Sequence, residues 1–210
     1  MAIINRVADF HDEMTQWRRQ LHSHPEICYE EVWTSDFIAG KLADFGIDVV
    51  RGLAGTGVVG ILKGKTDTGR SIGLRADMDG LPMPETNDFE HKSKTEGRMH
   101  ACGHDTHVAI LMGVAQILTE LRSELKGTVK FIFQPAEEGA PKGEEGGAEL
   151  MVKEGVLNNP DVDAIFGLHI SDATPVGMIT YKEGGIMASS NSFQITVKGK
   201  QAHGLSLIHI

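Results

Sequence analysis

The feature of the sequence that most constrains the fold is an alternation of helical and strand-like patterns between residues 105 and 169. A long helical pattern over 106–125 precedes the apolar run 129–133, and a short helical pattern over 148–157 precedes the apolar run 163–169. Short apolar runs are typical of buried strands, and strands separated by helices favour a parallel sheet with crossover helices. The sequence therefore predicts an α/β fold with a mostly parallel or mixed sheet flanked by helices.

The N-terminal part of the chain predicts two helices and three strands. Apolar residues recur at helical spacing over 5–21 and again over 33–45. Three β-like runs follow at 47–50, 58–64 and 71–76. Because the segment between the last two runs is polar and turn-forming, we expect those two strands to pair as a hairpin.

A change of pattern further along the chain predicts a second domain. Residues 178–200 alternate in polarity and are typical of β-strands, and the Gly184-Gly185 pair lies within this change. We therefore expect one domain over residues 1–185 and the first strands of another over residues 186–204.

Charge and composition narrow the class of function. The 210 residues include 20 Lys plus Arg and 29 Asp plus Glu, which gives a formal net charge of −9. This charge argues against a nucleic-acid surface, which requires a basic patch. No apolar run approaches the roughly 18 residues of a membrane helix, and the N-terminus lacks a signal-peptide pattern. Cys28 and Cys102 do not form a disulfide framework, so a cytoplasmic location is expected.

Side chains with ligand or acid–base chemistry follow the predicted buried strands or precede the long helix. They are Asp77, Asp79, Cys102, His104, Glu137, Glu138 and His169. In an open parallel sheet, the carboxyl ends of the strands and the amino ends of the helices lie at one edge, where ligands bind. The sequence therefore predicts that these side chains converge.

The residue types at this edge favour a divalent transition metal. Imidazole and thiolate suit zinc, cobalt, nickel or iron, and carboxylates admit manganese. Neighbours in an extended backbone point apart, so one of Glu137 and Glu138 can bind metal while the other holds a water as general base. Asp79 is expected to support a ligand. Such an arrangement is typical of hydrolysis.

Each of these residues also has a purely structural interpretation. Paired glutamates are often solvated surface, a buried cysteine is often inert packing, and a histidine ending an apolar strand can be a hydrogen-bonded core residue. Residues elsewhere have other expected roles. For His22 and His24, at the end of the first helix, we favour a structural role or one that supports a ligand. Cys28 is interpreted as packing and His91 as a solvated side chain.

Several ordered motifs resemble those of one enzyme family. They are WRRQLHSHPE (17–26), GLRADMDGLP (73–82), MHACGHDTH (99–107), FQPAEEG (133–139), GLH (167–169) and GKQAHG (199–204). Over residues 5–204 the chain is similar to the metal-dependent amidohydrolases of peptidase family M20. The similar branch contains hippurate hydrolases, N-acyl-amino-acid amidohydrolases and plant auxin-conjugate hydrolases.

The resemblance implies a zinc-peptidase-like catalytic domain, an inserted α+β lid domain that carries a homodimer contact, and two divalent metal ions. Manganese or zinc is expected, with cobalt or nickel as alternatives. The positions that match metal ligands are Cys102, His104, Glu138 and His169. Glu137 matches the general base, and His203 matches a lid histidine that reaches the partner subunit's active site to stabilise the developing oxyanion. The implied substrate is an N-acyl-amino acid.

Three departures from the family pattern modify this prediction. Cys28 and Gly80 stand where glycine and alanine are expected. The chain has about half the family's length, so a further histidine ligand is expected beyond it and the 1–210 polypeptide is expected to be inactive. Residues 205–210 (LSLIHI) do not continue the pattern, and we interpret them as an adapter-derived artefact.

Two alternative functions stay open at this point. One is a non-catalytic metal-binding module. The other is a metal-free hydrolase in which Cys102 is the nucleophile and His104 or His169 is the base.

Overall fold

A computed structural model describes residues 3–189 and 193–206 of the chain. The chain divides into two units, Met1–Ser171 and Asp172–Ile210. The domain boundary expected after residue 185 stays a prediction.

The first unit contains five helices and five strands among its described residues. The helices are α1 (Ile3–Asp9), α2 (His11–Ser23), α3 (Val32–Asp44), α4 (His104–Glu120) and α5 (Gly147–Lys153). The strands are β1 (Asp48–Leu53), β2 (Gly57–Lys63), β3 (Thr66–Asp77), β4 (Lys126–Gln134) and β5 (Ala164–Gly167).

The five strands form one mixed sheet in the order β1-β2-β4-β3-β5. β2 is antiparallel to β1 and to β4, whereas β3 is parallel to β4 and to β5. The crossover helix α4 connects β3 to β4, and α5 lies between β4 and β5 in the chain. This architecture confirms the predicted α/β fold with a mixed sheet flanked by helices.

The predicted hairpin between 58–64 and 71–76 is wrong, because β4 lies between β2 and β3. Phe131 of β4 faces Gly60 of β2 on one side and Leu74 of β3 on the other. From Val129 to Gln134 every residue of β4 is buried. Because this strand is buried on both faces of the sheet, the central position covers more of its apolar surface than an edge would.

Helices α2, α3 and α4 contribute to the main core on one face of the sheet. Their buried residues include Trp17, Leu21, Ile38, Leu42, Val108 and Met112, which cluster with Phe131 and Phe133 of β4. A smaller cluster contains Ala54, Val59, Ile132, Met151 and Val156. Alternation along β4 therefore divides its side chains between the two clusters.

The N-terminal helical pattern differs from its prediction in one respect. The single helix predicted over 5–21 is two helices, α1 and α2, which are separated at Phe10. Phe10 is buried, and its N–H donates to the carbonyl oxygen of Val7 at 3.2 Å in a tighter turn. Burial of this ring therefore accompanies the break.

The second unit contains no strand within residues 172–189 and 193–206. The regular structure described there is a short 3₁₀ turn, Gly204–Ser206. The strands predicted over 178–200 are therefore not found in the described part of that range. Residues 190–192 of the predicted lid and residues 207–210 of the predicted artefact lie outside the described residues.

In the part of the chain that the structure describes, no helix is both long enough and apolar enough to cross a membrane.

The central position of β4 predicts an unequal cost for two identical substitutions. Phe131→Ala removes a ring that is 0 % exposed, whereas Phe166→Ala in β5 removes one that is 58 % exposed. We expect Phe131→Ala to lower the free energy of unfolding by about 3–5 kcal/mol, and Phe166→Ala to lower it by less than about 1 kcal/mol. Urea unfolding of both variants measures the difference. Equal losses would contradict the central placement of β4.

Candidate metal centre

The predicted side chains meet at one edge of the sheet. β3, β4 and β5 run parallel, so their carboxyl ends share that edge, and α4 begins there at His104. Asp77 ends β3, the loop after β4 carries Glu137 and Glu138, and His169 follows β5. The expected convergence of distant residues is therefore present in the fold.

Three overlapping groups of side chains have the composition of a metal site. They are Cys102–His104–His169, His104–Glu137–Glu138 and Asp77–His104–His107, and the ligand atoms of each group lie within 4.8 Å of one another. His104 belongs to all three groups. The three groups therefore overlap at one imidazole, and the donor atoms around it outnumber what a single cation position needs.

The hydrogen bonds of His104 fix which ring nitrogen can bind a metal. Its Nδ1 lies 3.2 Å from Oδ1 of Asp79, and a carboxylate can only accept, so Nδ1 carries the proton. Its Nε2 lies 3.6 Å from Oε1 of Glu138 and 3.7 Å from Oε2 of Glu137. Nε2 of His104 and Oε1 of Glu138 are buried without a hydrogen-bond partner among the described residues. Buried polar atoms require a partner, and a cation between them would supply it.

Cys102 and His169 form the second part of the centre. Nδ1 of His169 lies 2.6 Å from the carbonyl oxygen of Ile170, which can only accept, so this nitrogen is also the donor. Nε2 of His169 then presents its lone pair 3.3 Å from Sγ of Cys102. A protonated ring nitrogen bonded to a backbone carbonyl, with the other nitrogen directed at the site, is the usual arrangement of a metal-binding histidine.

Glu137 and Glu138 differ from the expectation that they point apart. Both carboxylates approach Nε2 of His104, because the loop after β4 is not extended. Ala136 has a left-handed φ of +48°, which turns the chain just before the pair. The N–H of Ala136 donates to Oε1 of the fully buried Glu31 at 2.9 Å. Glu31 thus helps to hold this turn.

The role of Glu31 was not predicted from the sequence. Glu31 lies next to Glu30, between Tyr29 and Val32, and no local pattern distinguishes the two glutamates. Its other oxygen accepts from Oγ1 of Thr56 at 2.7 Å. Burial raises the pKa of Glu31, although both hydrogen bonds act in the opposite direction. Its supporting role is recognised only in the fold, where its carboxylate lies within hydrogen-bond distance of the N–H of Ala136.

Asp79 joins the two halves of the centre, as its predicted supporting position requires. Its Oδ1 accepts from His104, and its Oδ2 accepts the backbone N–H of Glu138 at 2.9 Å. The carboxylate is 1 % exposed. One buried side chain therefore sets both the imidazole ring of His104 and the backbone of Glu138.

The pKa values of the centre reflect a concentration of acceptors. Burial, followed by the hydrogen bond and charge of Glu138, raises the pKa of Cys102 to about 12. Burial also raises the pKa of Glu137. For His104, burial acts to lower the pKa, but the hydrogen bond to Asp79 and the surrounding carboxylates raise it overall. A cation at this position would relieve the repulsion among these groups.

A second buried network supports the start of α4. Nδ1 of His22 lies 2.7 Å from Oδ2 of Asp105, and its Nε2 lies 3.1 Å from Oε1 of Glu85. Arg18 pairs with Asp105 at 3.0 Å. Asp105 directly follows His104, so the structural role predicted for His22 is consistent with its contacts.

Other residues from the sequence prediction lie away from the centre. His24 stacks on Trp33 with ring centroids 4.4 Å apart. Cys28 is partly buried, which fits packing. His91 is not simply solvated, because it stacks on Phe89 at 4.2 Å.

His203 belongs to the second unit, where its Nδ1 accepts the N–H of Leu205 at 3.3 Å. Its predicted action on a partner subunit stays a prediction.

Fold and site together define an α/β protein with a candidate metal centre of thiolate, imidazole and carboxylate groups. A match to the family model of Peptidase family M20/M25/M40 covers residues 73–202. The chain belongs to this family, as the sequence motifs predicted.

Similar proteins agree with this assignment. The chain is 46% identical to thermostable carboxypeptidase 2 of Saccharolobus solfataricus, over 95% of this chain and 50% of that protein. It is 46% identical to the N-acetylcysteine deacetylase of Bacillus subtilis, over 92% of this chain and 49% of that protein. Among solved structures it resembles the Bacillus subtilis YxeP protein, described as a dinuclear metal-binding peptidase of the M20 family. That match has a TM-score of 0.77 and 45% identity, and it covers 84% of this chain and 47% of the other.

The chain thus spans about half the length of the curated relatives that it matches.

The network beneath α4 predicts an acid-dependent loss of stability. Burial acts to raise the pKa of Glu85, but hydrogen bonds from Asn87, Ser93 and His22 hold it at about 2, below the ordinary 4.5. A carboxylate with a lowered pKa stabilises the fold above its ordinary value and loses that contribution as pH falls through 4.5 towards 2. We expect Glu85→Gln to lower the free energy of unfolding more at pH 7 than at pH 3.

Urea unfolding at both pH values measures this effect, with Glu90→Gln as the matched control because Glu90 is exposed. The control should change little at either pH. A Glu85→Gln effect of the same size at both pH values would show that its carboxylate charge is not what stabilises the loop.

Proposed function

We propose that the protein hydrolyses the amide bond of N-acyl-amino acids at a dinuclear metal centre. Four side chains hold the ions: Cys102, His104, Glu138 and His169. The observation that carries the proposal is the pair of buried, unpartnered atoms, Nε2 of His104 and Oε1 of Glu138, directed at each other across 3.6 Å. This spacing is too long for a hydrogen bond and suits two ligands of one ion.

The donor set indicates which ions fit. Thiolate and imidazole favour zinc, cobalt or nickel, and the added carboxylate admits manganese. We propose manganese or zinc as the native pair. When bound, such ions supply Lewis-acid activation of the amide carbonyl and of a water molecule.

Glu137 is the proposed general base. Its side chain is 41 % exposed, more than the 21 % of Glu138, so it is the member of the pair that solvent and substrate reach. Its raised pKa suits a carboxylate that first accepts a proton from the attacking water and then gives it to the leaving nitrogen. Asp79 holds His104 and the backbone of Glu138 during this transfer.

The names of the relatives support the proposed substrate class. A carboxypeptidase and an N-acetylcysteine deacetylase both break an amide bond of an amino acid derivative. Hippurate, the benzoyl amide of glycine, is a simple member of this class. A homodimer in which His203 acts on the partner's site, and a cytoplasmic location, complete the proposal.

One observation favours a thiol mechanism, namely the 3.3 Å between Sγ of Cys102 and Nε2 of His169. Against it, burial and Glu138 raise the pKa of Cys102 to about 12, so the thiol stays protonated at neutral pH without a cation. The thiol mechanism also gives no role to the two glutamates. It predicts inactivation by alkylation and indifference to chelators, whereas the metal mechanism predicts chelator sensitivity that a divalent ion reverses.

The two cysteines provide a direct test of metal binding. Cobalt(II) bound to a thiolate shows an ultraviolet charge-transfer absorption that imidazole and carboxylate ligands do not give. We expect this absorption on titration of the 210-residue chain, its loss in Cys102→Ser, and its retention in Cys28→Ser. Retention in Cys102→Ser would remove Cys102 from the proposed ligand set. Absence of any cobalt binding would overturn the metal centre.

The base assignment predicts that Glu137→Gln separates binding from catalysis. In the protein expressed from its own gene, we expect this variant to hydrolyse hippurate or N-acetylcysteine roughly 10²–10⁴-fold more slowly, with little change in metal content. Glu149→Gln, on the exposed surface of α5, is the matched control and should retain full activity. Steady-state kinetics and metal analysis check both points.

Unchanged turnover in Glu137→Gln would contradict the base assignment. Chelator-sensitive metal binding with no hydrolysis of either substrate by the unmodified protein would instead favour the non-catalytic metal-binding module.

A further inference from the structure

We propose that His107 is a positioning residue that fixes the metal-ligand candidate His169 through the backbone of Ile170. This inference rests on the proposed function in so far as His169 binds metal. His107 has the residue type and the location of a ligand, since it lies one helical turn after His104 on α4. Its hydrogen bonds assign it a different task.

Both ring nitrogens of His107 are already bonded. The N–H of Ile170 donates to Nε2 of His107 at 3.0 Å. A backbone N–H can only donate, so Nε2 carries the lone pair and Nδ1 carries the proton. Nδ1 then donates to Oδ1 of Asp77 at 2.6 Å. The imidazole has no nitrogen left for a metal ion while these two bonds persist.

Asp77 links this series of hydrogen bonds to the sheet. It is the last residue of β3 and is 1 % exposed. Its second oxygen, Oδ2, accepts from Nη1 of Arg75 at 2.7 Å. The series of hydrogen bonds therefore runs from the central part of the sheet through α4 to the segment that follows β5.

Ile170 connects His107 to His169 through two hydrogen bonds of its backbone. Its N–H is held by His107, and its carbonyl oxygen accepts from Nδ1 of His169 at 2.6 Å. The second bond sets the orientation of the His169 ring, which places Nε2 at 3.3 Å from Sγ of Cys102. The rings of His107 and His169 lie 4.8 Å apart at 70° without sharing a direct hydrogen bond.

The side chain of Ile170 provides a second anchor. A Cβ added at Gly103 would lie 2.2 Å from Cδ1 of Ile170, so the Ile170 side chain packs directly against Gly103. Gly103 also has a φ of +88° and lies between Cys102 and His104. Ile170 therefore bonds α4 through its amide and contacts the segment between Cys102 and His104 through its side chain.

A matched pair of variants tests the proposal. The amide group of glutamine reaches about as far as Nε2 of histidine and can accept from Ile170, whereas that of asparagine reaches only as far as Nδ1. In the metal-free chain, we expect the Ile170 amide to exchange with solvent at least about threefold faster in His107→Asn, the change expected for loss of one hydrogen bond. We expect His107→Gln to restore the protection, and the Phe131 amide of β4 to stay protected in both variants.

The tautomer of His107 in the unmodified chain is an independent measurement that needs no variant. Nitrogen-15 NMR should show a proton on Nδ1 and none on Nε2. A protonated Nε2, or an Ile170 amide that exchanges equally fast in the unmodified chain and in His107→Asn, would overturn the proposal. Loss of protection at Phe131 would show that His107→Asn has unfolded. In that case the tautomer of His107 and the exchange of the Ile170 amide in His107→Gln test the proposal.

Cobalt titration separates this inference from the proposed function. If the centre binds metal, His107→Asn should weaken cobalt binding roughly 10–100-fold, as expected on losing a partner that orients a ligand, and His107→Gln should restore it. Unaltered cobalt affinity in His107→Asn would overturn the positioning role. If the unmodified chain binds no cobalt, the proposed metal centre fails, and the exchange and tautomer results still decide the role of His107.

Discussion

One buried imidazole nitrogen, Nε2 of His104, sets the requirement that the rest of the site has to meet. Carboxylate oxygens of Asp77, Glu137 and Glu138 lie between 3.6 and 3.7 Å from it. Acceptors brought this close in a region of low dielectric repel one another unless a cation or protons lie between them. Protonating Nε2 would relieve the charge but leaves no short hydrogen bond at these distances. A metal ion satisfies both the charge and the spacing.

The fold fixes this arrangement with carboxylates that we do not place among the ligands. Asp79 accepts the N–H of Glu138, and Glu31 accepts the N–H of Ala136. Both are buried, and each bonds a backbone donor of the loop that carries Glu137 and Glu138. A backbone held at two points over three residues limits where the side chains of Glu137 and Glu138 can reach. Such support is what a centre of defined geometry requires from its surroundings.

The sequence predicted those features that depend on local pattern. The helix–strand alternation gave α4, β4, α5 and β5, and placement at strand ends gave the convergence of Cys102, His104 and His169. Strand pairing was harder to predict from the sequence, because β2 and β3 are neighbours in sequence but are separated by β4, which is buried on both faces. Glu31 was missed for the same reason, since its function depends on a turn 105 residues away. Long-range pairing leaves no periodic signal in a single sequence.

The three histidines of the centre show where residue type stops being informative. His104, His107 and His169 all direct Nδ1 at an acceptor, so all three present a lone pair on Nε2. The three histidines differ in the group that faces Nε2, and this group determines whether the lone pair can bind a metal. A backbone N–H occupies Nε2 of His107, whereas Nε2 of His104 faces carboxylates and Nε2 of His169 faces a thiol. Because a lone pair that accepts a hydrogen bond is unavailable to a cation, only two of the three imidazoles can be ligands. Helical spacing places His104 and His107 on one face of α4, but the partner that separates their roles comes from the segment after β5.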